Sequence, residues 1–201
     1  MSDMEFYHAL NRRVDKTTLF LDDKDRARFV LGLDLFNDEA PIDNLHRMIN
    51  GTYVRPRRSN RWPLVRIHAW CLMGNHYHLL LSETREGGMK KFLMKLNVGY
   101  AKYFNERHKR SGTLFQGRTK KVRIATDAHF LHILNYIHLN PLDFMRGAQS
   151  WRERSIASSS EALRYLKDYK WSSYLDYCGC TNFPDLVDTT FFSKAFPDYP
   201  N

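Results

Sequence analysis

Apolar residues recur at two spacings along the chain, and the order of these spacings predicts the secondary structure. Residues 5–13 alternate between apolar and polar side chains, as a strand with one buried face does. In residues 22–36 the apolar side chains share one helical face, and Asp22 or Asp23 can cap the start of that helix. The chain is therefore predicted to begin with a strand followed by a helix.

A hairpin and a long helix are predicted next. Residues 64–72 alternate, with Ile67, Ala69 and Cys71 on one face, and the turn-forming sequence Met-Gly-Asn leads into residues 76–83. Residues 89–104 place their apolar side chains three, four and seven positions apart, so this segment has the clearest helical period in the chain.

The pattern ends with a basic strand in residues 118–124 and a helix in residues 128–140, which Thr126 or Asp127 can cap and Pro141 helps to end. The order β-α-β-β-α-β-α favours the α+β class: a ferredoxin-like, mainly antiparallel sheet with helices on one face and one additional helix. Residues 1–148 are expected to form the main domain, and residues 149–201 a linker with a helical and aromatic C-terminal extension.

Composition indicates a folded protein that is attracted to polyanions. Hydrophobic residues make up 43% of the 201 residues and charged residues 26%, which is ordinary for a globular protein. The net charge is +9, and its clustering favours nucleic acid as the partner over a merely solubilising surface. The candidate DNA-binding residues are Arg55, Arg57, Arg58 and Arg61 in one loop, and Lys109, Arg110, Arg118, Lys120 and Lys121 around "GTLFQG".

The expected compartment is the cytoplasm. The three cysteines form no regular framework, which is typical of a reducing environment. The sequence has no stretch of about 18 apolar residues and no signal-peptide pattern at its start. We therefore expect no membrane partner.

Candidate chemistry begins at "GNHYHLLL", residues 74–81. In a strand His76 and His78 project to the same face, and two adjacent imidazoles can form half of a metal site. An isolated HxH more often marks surface or hydrogen-bonded core histidines. On the predicted last helix, Tyr136 and Asn140 lie one turn apart beside the apolar face. A divalent cation can offset the charge of a phosphate and so help a phenol to attack it.

Four stretches resemble, in order and spacing, the motifs of the HUH single-tyrosine transposases, and most closely those called REP-associated tyrosine transposases. They are "WCLMGNHYHLLL", "YFNERHKRSGTLFQGR", "LNYIHLNP" and "YKWSSY". The resemblance implies an enzyme whose catalytic domain, here residues 1–148, cuts single-stranded DNA at or near hairpins and transfers the strand. It implies Tyr136 as nucleophile, His76 and His78 as ligands of magnesium or manganese, and Asn140 as the residue that completes the metal site.

Departures and alternatives accompany this resemblance. Gly74 stands where the family often has proline, and His138 where an acidic residue is common. Two other functions stay open: a catalytically silent regulator that binds DNA hairpins with the same fold, and a zinc hydrolase, for which no carboxylate base is apparent near the histidines. Tyr100 and Tyr103 are expected to pack in the core. The sequence does not distinguish a monomer from a homodimer.

Overall fold

The computed structural model describes residues 4–41, 61–180, 182–183 and 185–195, without the side chains of residues 127, 128, 130 and 131. The predicted DNA-binding residues Arg55, Arg57 and Arg58 therefore lie outside the described residues. Within the described part, no helix is both long enough and apolar enough to cross a membrane.

Strands and helices follow the predicted order. The strands are β1 (Phe6–Arg12), β2 (Val65–Leu72), β3 (His76–Glu83) and β4 (Lys120–Arg123). The α-helices are α1 (Asp23–Leu35), α2 (Gly88–Arg107), α3 (Asp127–Leu139), α4 (Ser159–Asp168), α5 (Tyr174–Tyr177) and α6 (Thr190–Ala195). Short 3-10 helices span Val14–Lys16, Asn140–Phe144 and Gln149–Glu153.

The predicted helix caps form as well. The Asp22 carboxylate accepts a hydrogen bond from the Asp25 amide at 3.0 Å at the start of α1. The Thr126 hydroxyl accepts one from the His129 amide at 3.2 Å at the start of α3. Each cap satisfies a backbone N–H that has no partner within its own helix.

The four strands form one antiparallel sheet in the order β2-β3-β1-β4. This order is the ferredoxin-like one, so the predicted α+β class is confirmed. The two central strands are β3 and β1, which pair with His78 opposite Leu10 and His76 opposite Arg12. A central strand is buried on both faces, which explains the continuous apolar run after His78.

The two faces of the sheet pack against different helices. On one face Tyr77 and Leu79 join the core that α1 and α2 form with the sheet. On the other face Leu80 packs with Ile133 and Ile137 of α3. Helices α1 and α2 thus share one face, as predicted, and α3 is the additional helix on the opposite face.

Strand β2 departs from the predicted alternation. Its register against β3 shifts between Ile67 and Ala69, so that His68 is an extra residue in the strand. Ile67 and Trp70 both contribute to the core on the α1 and α2 side, whereas Ala69 and Cys71 contribute to the core beneath α3. The prediction that Ile67 shares a face with Ala69 and Cys71 was wrong, because an extra residue reverses the side-chain direction of everything after it.

The C-terminal segment packs onto the sheet. The Ser173 amide donates to the Trp70 carbonyl at 2.9 Å, and the Trp171 carbonyl accepts from the Leu72 amide at 2.9 Å. Trp171 belongs to the core on the α1 and α2 side, and Phe192 of α6 to the core beneath α3. The residues after 148 therefore bury side chains in both cores. The division of the chain at residue 148 stays a prediction.

Candidate active site

The predicted histidine pair stands at the start of β3. His76 and His78 project from the same face, with ring centroids 4.8 Å apart. Tyr77 points to the opposite face, where its hydroxyl donates to the Asn97 side chain at 2.8 Å. His78 is buried and His76 is half-buried. The alternation of a central strand therefore brings the two imidazoles together on the α3 side.

Helix α3 places Tyr136 over this pair. Ile133, Leu134 and Ile137 bury one edge of the helix against the sheet. Tyr136 lies beside that apolar edge, and its ring centroid is 5.7 Å from that of His78 in an edge-to-face arrangement. Because the apolar edge sets the rotation of the helix, it also sets the direction of the phenol.

Asn140 follows one turn later, at the point where α3 passes into the 3-10 helix Asn140–Phe144. Its side chain is buried, and its amide nitrogen donates to the Tyr136 carbonyl at 2.5 Å. The amide oxygen accepts a hydrogen bond from Nη2 of Arg152 at 2.9 Å. A carbonyl oxygen has two lone pairs, so this oxygen can still accept a second partner.

A third histidine, His8 of β1, completes the cluster and had not been predicted. Its Nε2 lies 2.8 Å from Nδ1 of His78, and the two rings stack with centroids 5.0 Å apart. The ring centroid of Tyr136 is 5.8 Å from that of His8. His8 and His78 are far apart in sequence, and only the pairing of β1 with β3 brings them together.

The hydrogen bonds of these histidines leave two nitrogens open. The Asn75 side-chain oxygen, 2.6 Å from Nδ1 of His76, can only accept, so that nitrogen carries the proton and Nε2 keeps its lone pair. When His78 donates from Nδ1 to His8, its Nε2 is likewise a free lone pair. Nε2 of His78 is buried and has no hydrogen-bond partner among the residues that the structure describes. Such an unpartnered buried atom is unusual and fits a ligand position.

Burial keeps all three imidazoles neutral. It lowers the pKa of His76 to about 4. It lowers the pKa of His8 to about 4 as well, with smaller contributions from the nearby charges of His129 and Lys120. The pKa of His78 falls well below its ordinary value for the same main reason, burial. Neutral imidazole is the form that binds a metal ion.

Asp143 and Arg152 form a charged pair at the edge of the cluster, and neither had been predicted. Nη1 of Arg152 lies 2.5 Å from Oδ1 of Asp143, and Nη2 lies 2.9 Å from Oδ2. The guanidinium lies over the Tyr136 ring, 5.8 Å from the ring centroid. Asp143 is close enough to His76 for its charge to oppose the lowering of the His76 pKa. Asp143 is therefore a carboxylate close to the histidines, and no pattern in the sequence had indicated it.

The second basic cluster lies at the same end of the sheet as the histidines. Lys120 of β4 is opposite Leu10, whose other neighbour is His78. The loop before β4 runs beside the end of β1, where the Gln116 amide donates to the Arg12 carbonyl at 2.8 Å. The predicted members of this cluster are exposed or half-exposed, and they are Lys109, Arg110, Arg118, Lys120 and Lys121.

Arg61, the described member of the first basic cluster, lies elsewhere. It precedes β2, whose first residue Val65 pairs with Glu83 at the far end of β3 from His76. Eight residues of strand separate the two ends by roughly 25 Å. The Arg61 guanidinium bonds to the Asp34 carboxylate at 2.6 Å. Arg61 is therefore not brought to the histidine cluster.

Other candidate residues have structural roles. The Tyr100 hydroxyl is buried and donates to the Leu19 carbonyl at 3.0 Å, and the Tyr103 hydroxyl donates to Asp25 at 3.2 Å. Tyr100 is a buried core residue, as predicted, and the half-buried Tyr103 packs against the edge of the same core. His138 is buried on another side of α3, with its Nε2 2.7 Å from the Ser173 hydroxyl.

The residues present could hold one divalent cation if an amide takes part. No group of three or more His, Cys, Asp or Glu side chains that could bind a metal occurs in the part of the chain that the structure describes. A metal beside His76 and His78 would therefore need a ligand of another kind, and the Asn140 side-chain oxygen is the candidate that the motif supplies. The open nitrogens of the two histidines fit this donor set, which leaves positions for water or phosphate oxygens.

Comparisons with known proteins add little to this picture. No protein-family model matches the chain, and no curated protein is significantly similar in sequence. A solved structure of a REP-associated tyrosine transposase bound to a REP hairpin aligns over 94% of this chain and 91% of that chain, with 12% sequence identity and a TM-score of 0.48. At that distance, the function has to be inferred from the residues of this chain.

Proposed function

We propose that this protein is an enzyme that cleaves single-stranded DNA beside a hairpin and transfers the strand, with Tyr136 as the nucleophile. The observation that carries the proposal is the meeting of Tyr136 with His76 and His78. The sequence motifs contain all three of these residues. The packing of α3 on the sheet brings the Tyr136 ring centroid to 5.7 Å from that of His78, the inner histidine of the pair.

The reaction exchanges one phosphodiester for another. The phenol oxygen of Tyr136 attacks the phosphorus, and the bond from the phosphorus to the 3′ oxygen of the preceding nucleotide breaks. The phenol loses its proton to solvent, and the departing 3′ oxygen gains one. The product is a 5′-phosphotyrosine and a free 3′ hydroxyl, so the bond energy is kept for rejoining to another 3′ end.

Divalent metal is part of the proposal. Magnesium or manganese, bound by His76, His78 and Asn140, would offset the negative charge on the phosphate. The chain's own part is to keep the imidazoles neutral through burial and to orient them. His8 holds Nδ1 of His78, and Asn75 holds Nδ1 of His76, so that Nε2 of each ring is left for the metal.

The DNA would lie along the exposed cations next to the cluster. Single strands bind to grooves in which cations follow the backbone and aromatic rings stack on the bases. Lys120 and the loop with Lys109, Arg110 and Arg118 supply the cations at the histidine end of the sheet. Single-stranded or hairpin DNA is thus the proposed partner.

A second candidate function is a hairpin-binding regulator of the same fold that does not cleave. One observation fits it: Arg152 already engages one of the two lone pairs of the Asn140 oxygen, so only one is left for a metal. The basic surface serves this function equally well. A zinc hydrolase is less favoured, because the carboxylate nearest to the histidines, Asp143, is engaged by Arg152.

A covalent-capture experiment separates these functions. The protein is incubated with labelled DNA hairpins that carry randomised single-stranded flanks, in manganese or in EDTA, and is then run on a denaturing protein gel. We expect a labelled adduct in manganese that is absent in Tyr136→Phe and present in Tyr165→Phe, a matched change on α4. Binding without any adduct would favour the regulator. Cleavage that persists in Tyr136→Phe would show attack by water and contradict the proposal.

A further inference from the structure

Arg152 contacts both polar residues that helix α3 brings to the site. It donates from Nη2 to the Asn140 oxygen at 2.9 Å, and its guanidinium lies over the Tyr136 ring, 5.8 Å from the ring centroid. We propose that Arg152 is a positioning residue for cleavage, which holds the Tyr136 phenol and the Asn140 amide in one fixed arrangement through its fork with Asp143. This inference rests on the proposed function and adds a residue that no motif contains.

The backbone around Arg152 is built to aim its side chain at the site. The Trp151 amide donates to the Ala148 carbonyl at 3.1 Å, and the Arg154 amide donates to the Trp151 carbonyl at 3.0 Å, which closes the 3-10 helix. Arg154 then ends the helix in the left-handed region, with φ of 57°. The turn is therefore tight, and it fixes the backbone position from which the Arg152 side chain reaches the site.

Two further contacts restrain the guanidinium itself. The Trp151 indole nitrogen donates to Oδ1 of Asp143 at 2.8 Å, so the carboxylate is held from two sides. The guanidinium of Arg152 lies 4.3 Å from the ring centroid of Trp151. A planar guanidinium that stacks on one ring and forms two hydrogen bonds to one carboxylate has little freedom to rotate.

This restraint matters because a half-exposed phenol has rotational freedom of its own. The apolar edge of α3 sets the position of the Tyr136 backbone, but the ring can still turn about its side-chain bonds. The guanidinium of Arg152 over the face of the ring limits that freedom, and its hydrogen bond to the Asn140 oxygen links the ring to that amide. Misplacement of a reacting group by about 1 Å can cost on the order of a hundredfold in rate.

The test compares variants of Arg152 with a control in the same turn. Arg152→Gln removes the fork, Arg152→Lys keeps the charge without the fork, and Arg154→Gln removes an exposed positive charge two residues away. For each variant, the rate of adduct formation at saturating hairpin DNA is measured separately from the affinity for that DNA. Melting temperatures establish that the variants are folded.

We expect Arg152→Gln to slow adduct formation by about a hundredfold at saturating DNA, while its affinity for DNA changes by no more than about threefold. Arg152→Lys should fall in between, and Arg154→Gln should stay within about twofold of the unmodified protein. Asp143→Asn should slow the reaction too, and adding it to Arg152→Gln should cause little further loss, because the two residues act as one unit.

The outcomes distinguish this inference from the proposed function. If the unmodified protein forms an adduct and Arg152→Gln forms it equally fast, or loses rate only in proportion to DNA affinity, the positioning role is wrong and the nucleophile stands. If the unmodified protein forms no adduct on any hairpin, the proposed function fails, and the role of Arg152 fails with it. If Arg152→Gln does not fold, the rate of Arg152→Lys decides.

Discussion

Acid should unfold this protein well above the pH at which most carboxylates titrate. Four histidines of the described part are buried, and they are His8, His68, His78 and His138. Burial lowers the pKa of His68 to about 4 and that of His138 to about 3. An unfolded chain exposes the same groups with a pKa of about 6.5.

The sign of the effect follows from proton uptake. Because the folded pKa values are depressed, the folded protein binds fewer protons than the unfolded chain at any pH between about 6.5 and 4. The stability that these histidines contribute is therefore complete above pH 6.5 and is lost as the pH falls toward their folded pKa values.

The size of the effect is a large part of an ordinary folding free energy. One pH unit below 6.5, each histidine with a folded pKa near 4 favours unfolding by about 1.4 kcal/mol. His8, His68 and His138, whose folded pKa falls to about 3 or 4, together lower the free energy of unfolding by about 4 kcal/mol between pH 7.5 and pH 5.5, if each acts independently. The lowered pKa of His78 adds to this loss in the same direction. Domains are typically stable by only about 5–15 kcal/mol.

Urea titrations followed by tryptophan fluorescence, at pH 7.5, 6.5 and 5.5 in EDTA, measure this loss. His138→Gln removes one titrating group and should reduce the loss by about 1.4 kcal/mol, whereas His132→Gln, an exposed change on the same helix, should leave it unaltered. A free energy of unfolding that stays constant from pH 7.5 to pH 5.5 would refute the reasoning.

Other changes test the packing and the DNA surface. Gly88→Ala should destabilise the protein by about 2 kcal/mol, because the added Cβ would overlap the Leu64 carbonyl just before β2. Gly74→Ala should leave the melting temperature unchanged, because the nearest atom to its added Cβ is 3.8 Å away. Asp25→Ala should lower the free energy of unfolding, measured by urea titration, by about 3 kcal/mol or more, because the buried Asp25 carboxylate binds Arg107 and His108 at the end of α2. A loss below about 1 kcal/mol would contradict that role. Lys120→Gln should reduce the slope of log DNA affinity against log salt concentration by about one. Arg61→Gln should reduce that slope less, because the Arg61 charge is already paired with Asp34. Equal effects of the two changes would count against the proposed DNA path.

Local features of the sequence anticipated much of the fold and part of the site. The aspartate before α1 and the threonine before α3 act as the predicted caps, because capping depends on residues three apart. The face shared by His76 and His78 follows from the alternation of one strand. In β2 the same rule was wrong after Ile67, because a register shift against β3 leaves no mark in the local pattern of apolar residues.

The remainder of the site depends on contacts between segments that are distant in sequence. His8 reaches His78 through the pairing of β1 with β3, and Arg152 reaches Asn140 from a stretch that reads as a polar linker. Arg61 was predicted to bind DNA because it belongs to a cluster of arginines in the sequence. In the structure it lies at the far end of the sheet from the histidines and pairs with Asp34. The number of charged residues can be read from a sequence, whereas their positions in the folded protein cannot.

By itself, the sequence determined the order of strands and helices, the basic character of the chain, and the histidine pair and tyrosine motif. Each of these depends on residues that are neighbours along the chain, where spacing alone sets direction. Only the tertiary structure decided that His8, Asp143 and Arg152 surround the pair and which basic residues lie nearby. Those contacts depend on strand register and on how α3 and the segment after it pack, and no local spacing encodes either.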